Sequence, residues 1–152
     1  MADPGPTIRE QAIVLVFEAL VAALPDVTVL RNARGEVDED DAPCLILFDG
    51  PQQPAYADVG MVTYTMTLDI EGTVTAVSDA LLGPALNALY GRAAAAIGDG
   101  LHLGSPIEEV RSLDMTTALA PVERSVEPLA TFGLGLAVKF ITADGNPYAS
   151  AS

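Results

Sequence analysis

Between Val62 and Val74 the chain alternates apolar and polar residues without a slip. Val62, Tyr64, Met66, Leu68, Ile70 and Val74 make one side, with Gly72 as its only gap. Thr63, Thr65, Thr67, Asp69, Glu71, Thr73 and Thr75 make the other. Side chains on a strand point to opposite faces with a period of two, so the segment reads as a single half-buried antiparallel strand. At about 3.3 Å per residue it would run about 40 Å, against a usual strand of about 5–6 residues. A strand of that length in a small domain must curl strongly or project as part of a long β-hairpin.

The rest of the chain supplies a core for that strand. Half of its 152 residues are hydrophobic, enough for one domain to bury a core without staples. Thr7 and Glu10 form the T-x-x-E capping box that opens a helix, predicted over Ile8 to Leu24 and stopped by Pro25. That helix is apolar on nearly all sides, which predicts burial on all sides, under a second helix or under a neighbouring subunit. Val27 to Arg31 and Cys44 to Phe48 read as short strands, the latter ended by Asp49-Gly50. Pro51 to Gly60, with two prolines and with Gln52 and Gln53, reads as a loop.

A second helix starts either at Ser78 as cap or at Gly83 with Pro84 at its first position. Its stripe is Leu82, Leu86, Leu89, Ala93 and Ile97, and Gly98-Asp99-Gly100 ends it. Ile107 to Leu119 reads as a strand with a bulge where Val110 and Leu113 break the alternation. In the last strand, Phe132 to Thr142, one face is large and apolar, while Gly133, Gly135 and Ala137 leave the other almost bare. The predicted order is α-β-β-β-α-β-β, a single α+β domain over 1–152 with two helices against a mainly antiparallel sheet and loose termini at 1–6 and 144–152.

Charge and residue usage exclude several functions. Seven basic residues stand against 21 acidic ones, a formal charge of −14 that repels phosphate backbones and anionic membranes. No basic n-region precedes an apolar h-region, so no secretory leader is expected. The most apolar run, Ala12 to Leu24, is 13 residues interrupted by Glu18, too short to span a bilayer. Cys44 is the only cysteine and His102 the only histidine, so neither a disulfide within the chain nor a zinc site is expected. The sequence carries no nucleophile–base motif, and the chain is read as a non-enzyme without cofactor. Glu36, Asp38, Glu39, Asp40 and Asp41 crowd one loop. They are either a solvated loop or oxygen ligands for a cation such as Ca²⁺, although the EF-hand spacing is absent.

Taken in order, these segments resemble the tail terminator (tail completion) proteins of long-tailed bacteriophages and gene transfer agents. The resemblance rests on Thr7-Ile8-Arg9-Glu10 opening the first helix, Val29-Leu30-Arg31-Asn32, and the strand Pro43 to Phe48 closed by Asp49-Gly50. It continues through the long strand around Tyr64, the Leu-Asn-Ala-Leu segment at 86–89 and the strand ending at Phe140. It implies a homo-oligomeric ring, typically of six subunits, that caps the finished tail tube in the virion and presents a surface to the head. The implied partners are the chain itself, the tail tube protein and a head–tail connector, with DNA passing through the channel without specific binding. The partner-facing candidates are the acidic loop, Gln52 and Gln53, the polar strand face with Thr65, Thr67, Asp69 and Glu71, and the loop holding Glu123, Arg124 and Glu127. Alternatives are another head–tail connector or neck protein, or a small acidic ligand- or Ca²⁺-binding module.

Overall fold

The computed structural model describes residues 3–34, 42–119 and 128–150. Helix α1 (Ile8–Ala23) is followed by strands β1 (Thr28–Arg31), β2 (Cys44–Phe48), β3 (Gln52–Asp58) and β4 (Met61–Thr75). Helix α2 (Asp79–Ile97), a 3₁₀ turn at Leu101–Leu103, and strands β5 (Ile107–Leu119) and β6 (Leu129–Ala143) complete it. The strands form one six-stranded mixed sheet in the order β1-β2-β4-β6-β5, with β3 also on β4. Every pairing is antiparallel except β1 with β2. The chain is therefore an α+β fold with both helices on one side of a mostly antiparallel sheet.

Four strands, and not three, separate the helices. The segment expected to be a loop is β3, paired with β4 from Gln52↔Met66 to Asp58↔Met61. It continues the line of β2, which pairs the other half of β4 from Phe48↔Asp69 to Cys44↔Thr73. Between them Asp49, Gly50 and Pro51 face two residues of β4, and Thr67 N donates to Pro51 O at 2.9 Å. The junction is a β-bulge, and residues 44–75 make one bulged hairpin turning at Val59-Gly60. β4 also pairs with β6 along its whole length, from Met61↔Ala143 to Thr75↔Leu129. The hairpin turn is tied down as well, since Asp144 N donates to Gly60 O at 3.0 Å. What stays open to solvent is β3, exposed at every residue.

The core lies between the helices and the even-numbered residues of β4 and β6. Met66, Leu68, Ile70, Phe132, Leu134, Leu136, Val138 and Phe140 are buried there. The expected stripe of α2 is its buried set: Leu82, Leu86, Leu89, Ala93 and Ile97. The helix starts after Ser78, so Pro84 lies inside it and not at its first position. Gly72, the gap in the apolar face of β4, sits directly opposite Phe132 in the ladder, and the Phe132 ring fills it. That ring also meets Tyr90 of α2 edge-on at 5.9 Å.

Helix α1 departs from its expectation. Ile8, Ala12, Ile13, Val16 and Leu20 are buried at helical spacing, but Val21 is 45% exposed and Val14 and Leu15 are only half-buried. Burial on all sides is therefore not reached within the described residues. The capping box is half formed: Thr7 Oγ1 accepts from Glu10 N at 3.0 Å. Both Glu10 oxygens instead accept from Arg31, at 2.6 and 2.8 Å.

Arg31 clamps three elements together. Its other edge donates to both oxygens of Asp49, at 2.9 and 2.7 Å, joining the end of β1, the start of α1 and the β2–β3 bulge. Asn32 follows at φ 53, a left-handed position that Asn tolerates, and its Oδ1 accepts from Asp49 N at 2.9 Å. The hydrogen bonds from Arg31 hold the Glu10 and Asp49 carboxyls below their ordinary values of 4.5 and 3.8, and hold the guanidinium above its own. Depressed folded values mean that the clamp stabilises fully above the unfolded carboxyl range and is lost as pH falls through the folded values. With side chains 25–40% exposed, screening limits the clamp to about 1–2 kcal/mol. Urea midpoints should hold steady from neutral pH to about pH 5 and drop below it, and Arg31→Gln should flatten that drop. An unchanged acid limb in Arg31→Gln would mean that the clamp adds nothing.

Candidate functional site

Two features read separately along the chain form one surface. The ladder between β4 and β6 sets Thr67 opposite Ala137, Asp69 opposite Gly135 and Glu71 opposite Gly133. The polar side of the long strand and the bare side of the last one thus lie side by side, facing away from the helices. Odd-numbered residues of both strands must share this outer face, because the even ones from Met66 to Ile70 and from Phe132 to Phe140 are committed to the core. Thr65 lies on it next to Lys139, and Gln53 of β3 pairs with Thr65.

The outer face holds a shallow open groove of about 810 Å³. Gly133 and Gly135 form its floor, Thr67, Asp69, Glu71 and Asp114 its polar walls, and Phe48 and Leu113 its apolar rim. The floor is less empty than the sequence suggested. A Cβ on Gly133 would stand 3.1 Å from Thr116 Oγ1, and one on Gly135 would stand 3.3 Å from Leu113 Cβ. Side chains from β5 already lean over the two glycines, so part of the close approach is made within the chain itself. Leu113 reaches that place because the register of β5 on β6 shifts between Ser112 and Met115. A second shift lies between Ile107 and Glu109, which keeps Val110 buried and in register. At the β2 end of the same face, Cys44, Ile46 and Thr73 are buried.

Electrostatically the groove is acidic. Asp69, Glu71 and Asp114 converge on it, with Arg111 beside Ala137 at its end of the ladder and Lys139 one pair further out, engaged by Glu109 at 3.3 Å. Such a surface repels polyanions and suits contact with polar or cationic groups.

Not every expected partner-facing residue joins this surface. Gln52 pairs with Met66 and so faces the opposite side, where its Oε1 accepts from Arg9 Nη1 at 3.1 Å. It lines a separate cavity of about 330 Å³ with Thr7, Tyr64, Phe140 and Asn146. Glu36, Asp38, Glu39, Asp40 and Asp41 lie outside the described residues, as do Glu123, Arg124 and Glu127. Among the described residues no three His, Cys, Asp or Glu side chains come together as a metal site, and no helix is long and apolar enough to cross a membrane. His102 sits in the 3₁₀ turn with Nε2 2.9 Å from Ala96 O, tying that turn to the end of α2. The contribution of β5 was not visible in the sequence, because the register shift that aims Leu113 shows only as broken alternation.

No protein-family model matches the chain. No curated protein sequence matches it either.

Proposed function

We propose that the chain is a structural subunit of the tail terminator type, forming a homo-oligomeric ring of about six copies on the head-proximal end of a tail tube. The observation that carries this reading is the one-sided construction of the sheet. Both helices cover one face, while the other presents an acidic, Thr-rich groove floored by glycine backbone together with an open strand, β3. Docking on the last tube ring removes the site where further tube subunits would add, and the opposite side of the ring accepts the head connector. With a formal charge of −14, a channel lined by such subunits passes DNA without holding it. The half-exposed back of α1, with Val21 open, supplies further contact area between neighbours. The site of action is the virion, after assembly in the host cytoplasm.

Light scattering on the purified protein, with negative-stain images of the same fraction, should give a closed ring of about six times the 15.7 kDa chain mass. Tail tubes lacking a terminator should take the protein up at their ends. A monomer that also fails to bind tube ends would overturn the reading.

A further inference from the structure

Among the described residues the sheet ends in open strands on both sides, and their geometry is complementary. On one side β5 is the last strand of the path. On the other, β3 lies beside β4, and its outer edge is unpaired among the described residues. An unpaired strand edge is a row of backbone donors and acceptors that templates another strand. β3 is antiparallel to β4, β4 to β6 and β6 to β5, so β5 and β3 run in opposite directions. A rotation axis along the strands leaves strand direction unchanged. The β5 edge of one copy therefore meets the β3 edge of the next in the antiparallel sense.

We infer that copies of this chain join head to tail by adding the β5 edge of one subunit to β3 of its neighbour. The inference rests on the ring reading and specifies its contact. The shape of the receiving edge supports it. β1 lies outside β2, one strand further out than β3, while β3 continues the line of β2. The outer edge of β3 is thus a notch bounded at one end by β1, and it admits a strand about as long as the seven residues of β3. Rotation about such an axis keeps each segment at its level, and the part of β5 level with β3 across the ladder, Ile107 to Val110, fits within that length.

Charge selects this pairing over β5 with itself. β5 carries Glu108, Glu109 and Asp114 against Arg111, whereas Asp58 is the only charged residue in β3. Two β5 edges brought together would set acid against acid across the ladder, and β3 offers no such conflict. Self-pairing of β5 would also leave every β3 edge open, while head-to-tail pairing uses both edges of each subunit and closes as a ring. Pro54 and the register shift after it deny β3 a uniform ladder, which disfavours pairing at random registers.

Disulfide trapping tests the contact. In a Cys44→Ala background, Gln53→Cys or Ala55→Cys is placed on β3, and Glu108→Cys or Glu109→Cys on β5. One protein of each set is mixed, with the β5 set distinguished by mass, and oxidised. Heterodisulfides between the two sets should exceed either homodisulfide by about tenfold in at least one pair, because pairing raises the local thiol concentration. Ala55→Glu should weaken assembly and Ala55→Lys should not, given Glu108 and Glu109 at that level of β5. A closed oligomer that yields only β5–β5 links, or none, would overturn the pairing and leave the ring reading standing. Heterodisulfides in open filaments would support the pairing and overturn the closed ring. A monomer without cross-links would overturn the pairing, and tube-end binding would then judge the ring reading separately.

Discussion

Replacing Phe132 by Ala should cost about 3–5 kcal/mol, the largest loss expected from any single truncation in this core. The ring is 1% exposed, packs edge-on against Tyr90 of α2, and covers the backbone of Gly72 in the neighbouring strand. A Cβ on Gly72 would stand 2.2 Å from Phe132 Cε1, so the ring occupies the volume a side chain at position 72 would need. Two further expectations follow from that shared volume. Gly72→Ala alone should destabilise by about 1–3 kcal/mol through overpacking. In the Phe132→Ala background the same change should cost little or restore stability, because the methyl enters the vacated space. A double-mutant cycle by urea denaturation should therefore give a coupling of about 1 kcal/mol or more. Additivity within about 0.5 kcal/mol would mean that the two positions do not share one volume.

Gly72 also illustrates which parts of the fold the sequence exposes. In one dimension it is a missing apolar residue in a long alternation. In the sheet it is where an aromatic from the paired strand lies down, and only the register of β4 on β6 reveals it. The stripe of α2 was legible in full because one face of that helix meets the core and its periodicity follows. Helix α1 was less legible: its apolar residues run around the helix, and periodicity cannot separate the buried Ala12, Ile13 and Val16 from the open Val21. β3 was not legible at all. A strand exposed on both faces has no buried side to impose alternation, and its proline and two glutamines read as loop. Its strand character comes from β4, through tertiary pairing that overrides local preference. The candidate surface was half legible: Thr65, Thr67, Asp69 and Glu71 on one strand and Gly133 and Gly135 on another were visible, but their union was not.

Gly50→Ala should be the second severe change, with a loss of about 2–4 kcal/mol. The cause differs from that at Gly72. A Cβ on Gly50 would stand 2.0 Å from Thr67 O and 3.0 Å from Thr67 C, both backbone atoms of the central strand. No rotamer change relieves such a contact, so the bulge between β2 and β3 must open. Opening it strains the bond from Thr67 N to Pro51 O and the one that Arg9 Nη2 donates to Gly50 O. The melting temperature should fall by about 5–15 °C for a chain of this size. Gly83→Ala supplies the contrast: a Cβ there meets nothing within 4 Å, and the position lies inside α2. There the substitution should stabilise by about 0.5–1 kcal/mol through helix propensity. A Gly50→Ala loss as small as about 0.5 kcal/mol would show that the bulge relaxes freely. The bulge also carries β3 past β2 into its own register on β4. Folded Gly50→Ala protein should therefore yield fewer β3–β5 cross-links between copies, while Gly83→Ala should yield as many as the parent.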